Sequence, residues 1–248
     1  MKRIATRALP VTAVLGSLAG KAAAVIVSFS PVQDATLYED PAGTQSSGAS
    51  TFLMAGRVGA NDTSPLRRSL LQFSLSTIPA GAAINSVQLT LQLTKLKNSN
   101  PVVTTLQRVT SAWTEGLTNA GTGGNGAVAN VGDATWLHRA SPTTWANPGG
   151  DFLGTASSTL NVADLGSYTW TGAGMAADVQ FWLANPAQNF GWMLRGDEST
   201  AQSVKEFGSR QGAVVPQLVI NYTPVPEASS AALVLATLGL AVRRRRHV

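Results

Sequence analysis

Ile84 to Thr94 reads INSVQLTLQLT, and from Val87 onward its apolar residues come at every second place. Val87, Leu89, Leu91 and Leu93 alternate with Gln88, Thr90, Gln92 and Thr94, a period of two that gives one dry face and one wet face. A helix would space its apolar residues by three and four. The stretch is a half-buried β-strand.

The surrounding chain follows the same rule. Leu70, Phe73 and Leu75 mark a strand after Arg67-Arg68, and Ile78-Pro79-Ala80-Gly81 closes it with a turn. Val102 to Val109 alternates again, and further strands are expected at Ser167 to Trp170, Phe190 to Leu194 and Leu218 to Tyr222. Turn residues separate these runs at short intervals, which points to a sandwich or barrel and away from βαβ units. Only Gly174 to Ala184 has helical spacing, through Met175, Val179, Trp182 and Leu183, and Asn185-Pro186 stops it. Asn119 to Gly132 is rich in Gly and Asn without periodicity and reads as a surface loop. It lacks the Gly-Lys-Ser/Thr and the strand–loop–helix frame of a phosphate-cradling loop.

The two ends differ from this body. Lys2, Arg3 and Arg7 precede an apolar run from Ala8 to Gly20, and Ala22-Ala23-Ala24 offers small residues at positions −3 and −1 of a cut after Ala24. That is the layout of a secretory signal peptide, residues 1–24. At the other end, Pro226-Glu227-Ala228 leads into an apolar run ending at Val242, followed by Arg243, Arg244, Arg245 and Arg246. As a helix, Ala228 to Val242 would span about 22 Å, against roughly 30 Å of bilayer hydrocarbon. Clustered arginines resist translocation, so the end stays cytoplasmic and the body lies outside.

The ends also dominate the charge. The formal net charge is +5 from 18 basic and 13 acidic residues. Eight of the basic residues are Lys2, Arg3, Arg7, Lys21 and the four terminal arginines. Ten therefore remain between Val25 and Pro226, against twelve acidic ones once Glu227 is set aside. The body is near −2, which removes the electrostatic case for nucleic acid. About 200 residues suffice for one well-buried domain. The chain has no cysteine, so this domain must be held by packing and strand hydrogen bonds, or by a metal ion.

The order of Pro-Glu, apolar segment and terminal arginines resembles the PEP-CTERM sorting signal of exported proteins in exopolysaccharide-producing Gram-negative bacteria. Its third position is Ala228 where the signal usually has proline. The resemblance implies recognition by an exosortase, a membrane-embedded sorting enzyme, with a transient inner-membrane intermediate before the cell surface or the extracellular space. An ordinary tail anchor is the alternative. Residues 25–224 resemble the DNRLRE domain in four places. These are Asp34-Ala35-Thr36-Leu37-Tyr38-Glu39-Asp40 with Leu53 to Gly56, and Arg68 to Leu75 leading through Ile78-Pro79-Ala80-Gly81. The others are Trp113-Thr114-Glu115-Gly116 with Trp136, and Asn189-Phe190-Gly191-Trp192 with Phe207-Gly208-Ser209-Arg210-Gln211 and Pro216-Gln217-Leu218. Gln211 stands where that family usually has an acid. This resemblance implies an all-β, jelly-roll-like sandwich in a single domain, some relatives being carbohydrate-binding modules. Residues 225–248 then form the sorting or anchor helix.

Chemistry-bearing residues are sparse. With the tail aside, His138 is the one histidine, no Gly-x-Ser-x-Gly elbow exists, and only three tyrosines are present. Glu115, Asp133 and Asp151 keep open a carboxylate pair for glycoside hydrolysis. Trp113, Trp136 and Trp145 cluster with Arg108, Arg139 and His138. Aromatic faces stack on sugar rings and arginine pairs with carboxylates, so Trp113, Trp136, Trp145 and Arg139 are candidate polysaccharide contacts, with core packing as the alternative. Asp34, Glu39 and Asp40 are candidate ligands for a structural calcium ion, the cofactor expectation being otherwise none. Three functions stand: a non-enzymatic exported surface or matrix protein associated with polysaccharide, a structural matrix protein binding other proteins, and a small polysaccharide lyase or hydrolase.

Overall fold

The structure is a computed structural model describing residues 22–59, 63, 65–122 and 124–225. Lys2, Arg3, Arg7 and the run from Ala8 to Gly20, together with Pro226, Glu227, Ala228, the apolar run to Val242 and Arg243 to Arg246, lie outside the described residues. Ala22 and Ala24 are described and sit directly before the first strand.

The strands are β1 (Val25–Phe29), β2 (Gln33–Tyr38), β3 (Gln45–Ser46), β4 (Phe52–Arg57), β5 (Leu66–Gln72), β6 (Ala83–Leu96) and β7 (Val102–Arg108). They continue with β8 (Ala127–Val128), β9 (His138–Ala140), β10 (Thr143–Thr144), β11 (Ser158–Val162) and β12 (Gly166–Thr171). Helix α1 (Ala173–Ala184) precedes β13 (Trp192–Arg195), β14 (Lys205–Gly208) and β15 (Gln217–Thr223). The protein is all-β. Eleven strands form one antiparallel sheet that curls on itself into a sandwich-like body.

β6 organises one half. Its alternation places Val87, Leu89, Leu91 and Leu93 at 1% exposure or less, while Gln88, Thr90, Gln92 and Thr94 stay on the wetter face. β15 and then β14 run along one edge of β6, and β12 runs along the other. β1 pairs with β15 from the outside. In the other half, β2, β5, β13, β7 and β11 follow in order. β4 joins the halves: Phe52 to Ala55 pair with β14, and Gly56 and Arg57 pair with β5. Gly56 sits at this switch with φ +116°, and a Cβ there would lie 3.0 Å from the Cα of Val204.

Leu89, Leu91, Trp170, Phe207, Leu218 and Ile220 from the first half meet Leu71, Leu106, Trp192 and Leu194 from the second in one core. Each such leucine stabilises the fold by about 1.5–3 kcal/mol. Helix α1 caps the core through Met175, Val179, Trp182 and Leu183. Trp182 meets Trp192 edge-on, ring centroids 4.6 Å apart.

In the second half β2, β5 and β13 are largely dry on both faces, while β7 and β11 leave Val103, Thr159 and Asn161 exposed. Leu70 and Met193 point away from the main core into another cluster with Ala35, Leu37, Val109, Trp113, Ala134, Trp136 and Trp145. The long connection between β7 and β11 supplies the cover. The glycine-rich segment 119–132 is a surface loop as expected, none of its described residues being buried. It contains β8, which pairs with β3, and it packs on the chain: a Cβ on Gly126 would lie 3.1 Å from the Tyr38 ring.

Candidate functional site

The residues singled out for function fall into the β7–β11 connection and the ends of β2 and β14. Trp113, Trp136 and Trp145 are 5, 8 and 4% exposed. Trp113 donates its indole N–H to the Phe190 carbonyl at 2.9 Å, and Trp145 donates to the Thr135 carbonyl at 3.0 Å. Trp136 lies under the Arg68 guanidinium, 4.6 Å from ring centroid to Cζ. The sugar-stacking expectation for these rings is therefore corrected. Burial leaves no ring face for a saccharide, and packing is their role. Arg139 ties loops together, donating from Nη1 to the Ala112 carbonyl at 3.0 Å. The His138 ring pairs its Nδ1 with the Thr135 hydroxyl at 3.0 Å.

The carboxylates kept open for acid–base chemistry are tied to their own loops. Asp133, fully buried, accepts from the N–H groups of Leu117 and Asn130 at 2.8 Å each and from the Thr118 hydroxyl. Asp151 accepts from the N–H groups of Ala146 and Asn147 and from the Ser111 hydroxyl. Burial raises its proton affinity, but these donors outweigh it and hold the carboxyl below its ordinary range.

The proposed calcium ligands do not assemble. Asp34 is the second residue of β2 while Glu39 and Asp40 follow its other end, about 17 Å away at the rise of an extended strand. Glu39 accepts the Leu66 N–H at 2.9 Å, and Asp40 caps the turn at Ala42 and Thr44. Among the described residues no cluster of three or more His, Cys, Asp or Glu side chains converges on a metal position.

Asp34 instead belongs to a junction that joins distant segments. Its N–H donates to Glu115 Oε1 at 3.0 Å, and its Oδ2 accepts the Arg210 N–H at 2.7 Å. The Arg210 guanidinium forks onto Glu115 at 2.6 and 2.9 Å, and Gln211 Nε2 adds a bond to Glu115 Oε1 at 3.0 Å. Gln33 reaches the Trp113 carbonyl at 3.1 Å. Asp34 is 1% exposed and its Oδ1 has no partner. Burial, opposed by the Arg210 N–H and reinforced by the Glu115 charge, pushes its pKa up to about 7.

Open recesses lie elsewhere. One, of about 310 Å³, lies on the outer side of β4, β14 and β6, floored by Met54, Val58 and Val204 and edged by Lys95, Lys97 and Glu206. Burial raises the Glu206 pKa although Lys95 stands 3.7 Å away. Sequence reasoning passed over this edge, but Lys95-Leu96-Lys97 closes the alternating run of β6 and was visible there.

No family model matches the chain, and no curated protein matches it. Among the described residues no helix is long and apolar enough to cross a membrane.

Proposed function

We propose that this chain is an exported, non-enzymatic cell-surface or extracellular-matrix protein associated with polysaccharide, its jelly-roll-like DNRLRE-type domain sorted through a PEP-CTERM-like tail. The observation that carries the reading is the order of segments. A leader with a small-residue cut after Ala24 precedes an all-β body, and Pro226-Glu227, an apolar run and four arginines follow it. The body's near-neutral balance suits a polyhydroxylated extracellular partner, and the lysine-edged recess gives an open surface for one.

The test is an array of extracellular polysaccharides probed with protein recovered from exporting cells. Retention on at least one polysaccharide is expected. Retention only on isolated matrix proteins would replace this reading with the structural alternative. Release of reducing sugar or of unsaturated product during incubation would replace it with a hydrolase or lyase.

A further inference from the structure

We infer that the loop tip carrying Leu117, Val128 and Val131 inserts into the interface of a zwitterionic phospholipid bilayer. Among the described residues these are the three most exposed large apolar side chains, at 84, 77 and 89%. They come from two separate stretches of the β7–β11 connection, yet one buried carboxylate gathers their backbones. Asp133 Oδ1 accepts the Leu117 N–H at 2.8 Å, and Oδ2 accepts the N–H of Asn130, the residue before Val131, at 2.8 Å. The Thr118 hydroxyl, bound to the same carboxylate, lies 3.2 Å from the Val128 carbonyl. Asp133 is fully buried and forms the fixed base of the tip. Three apolar side chains are thus held in water at one place.

Three features choose the partner, and the first is charge. No residue from Gly116 to Gly132 is charged. Of the acids flanking this stretch, Glu115 is paired with Arg210 and Asp133 is buried. The tip offers nothing to an ionic partner and loses no ion hydration on entering an apolar medium.

The second feature is hydrogen bonding. The N–H groups of Leu117 and Asn130 are bonded to Asp133, and those of Ala129 and Gly132 to the Thr44 and Ser141 carbonyls. Unpartnered backbone groups are costly where water is excluded, and these four carry no such cost into the bilayer. The third feature is area. One leucine and two valines expose less than the roughly 800 Å² per partner that a stable protein interface buries. A lipid interface needs no matching shape, and binding to it scales with the apolar area buried.

This inference goes beyond the polysaccharide-associated reading and does not depend on it. The chain has no cysteine, so one introduced at the tip takes a single fluorescent label. Val128→Cys, labelled with nitrobenzoxadiazole, is made in the full chain and reconstituted into phosphatidylcholine vesicles. Leu165→Cys, at an apolar position 62% exposed between β11 and β12, carries the same label as the control. Brominated phosphatidylcholine should quench the label at 128, equally at about 0.05 and 0.5 M salt, and leave the label at 165 bright. Leu117 and Val131 are exposed, so Leu117→Gln with Val131→Gln spares the core. That double variant should shift insertion of the label at 128 at least about tenfold towards water. Its retention on polysaccharide should stay at the wild-type level, so the two readings fail separately. Quenching that is alike at 128 and 165, absent from both, or unchanged in the double variant overturns the inference. So does a label at 128 whose emission follows protein concentration without lipid, which makes a second copy of the chain the occupant.

Discussion

Arg210 and Glu115 are joined by two hydrogen bonds of 2.6 and 2.9 Å across 95 residues of chain. The pair fastens the β14–β15 connection to the loop after β7, and Asp34 and Gln211 bind to the same carboxylate.

The partners are unequally replaceable. Glu115→Ala removes the acceptor of four hydrogen bonds, one from the Asp34 N–H, one from the Gln211 amide and two from the Arg210 fork, and should cost about 2–3 kcal/mol. Arg210→Ala leaves a carboxylate that still accepts from Asp34 and Gln211. The arginine side chain is 36% exposed, so that loss should be nearer 1 kcal/mol. Urea unfolding of both variants checks the asymmetry, and equal costs would contradict it.

Asp34 should make the protein less stable as pH rises. Its folded pKa of about 7 lies above the ordinary 3.8, so the folded state holds the proton more tightly between those values. The stability this contributes is full below about pH 4 and lost as pH climbs through about 7. Glu206, also raised by burial, acts in the same direction. Asp40, Asp151, Asp197 and Glu198 are held low, and their stabilisation is lost only in the acid range. Asp34→Asn should flatten the decline between pH 4 and 7, as followed by denaturation midpoints across that interval. A wild-type midpoint that rises over the interval would overturn the assignment.

Trp145→Ala should behave as a core truncation and cost about 3–5 kcal/mol. Polysaccharide retention per folded molecule should be unchanged, because the ring is 4% exposed and its N–H is engaged with Thr135. A stably folded Trp145→Ala protein that loses polysaccharide would restore the aromatic cluster as a binding face.

Processing at the two ends gives the most direct check on export. Mass analysis of the exported protein should find Val25 as its first residue. In the tail, each arginine costs roughly 2.5–3.5 kcal/mol at the centre of a membrane helix, so four act as a stop. Replacing Arg243 to Arg246 with serine should send the protein, uncut, into the periplasm. Replacing Pro226 and Glu227 with alanine should leave membrane insertion intact and abolish cutting. An epitope at the C-terminus, followed through cell fractions, separates these outcomes. Wild-type loss of the tail in the Pro226/Glu227 variant would reduce Ala228 to Val242 to an anchor.

The sequence was most readable where one face of a strand is wet. β6 carries its alternation openly, and β7, β12 and β15 fall within two residues of their expected bounds. So does α1, which Asn185-Pro186 ends as expected. β13 begins later than expected because Gly191, at φ +78°, must pass within van der Waals reach of the Leu71 carbonyl before pairing starts. β14 escaped notice because it begins with a lysine. Lys205 is buried, its ammonium donating to the carbonyls of Asn98, Asn100 and Ala163, so a charged letter stands at an interior position. The candidate site was less readable still. Tryptophan has the same letter whether it faces a sugar or a neighbouring loop, and only the cover supplied by the β7–β11 connection separates the two for Trp113, Trp136 and Trp145. The Arg210–Glu115 fork is a contact across the sheet, which no local spacing announces.

The pairing of β1 with β15 sets the order in which the body can be finished. Val25 stands opposite Tyr222 and Phe29 opposite Leu218, so the first strand of the sheet has the last strand as its neighbour. A chain emerging from its N-terminus would expose β1 long before β15 exists to receive it, and contacts so distant in sequence form slowly. Until then the outer edge of β6, from Ala83 to Thr90, also lacks its partner. An unpaired edge of this kind invites pairing with other chains. Closing that edge must wait for Gln217 to Thr223, only a few residues ahead of the point where the tail begins, so the domain completes its sheet at nearly the same moment that the tail arrives.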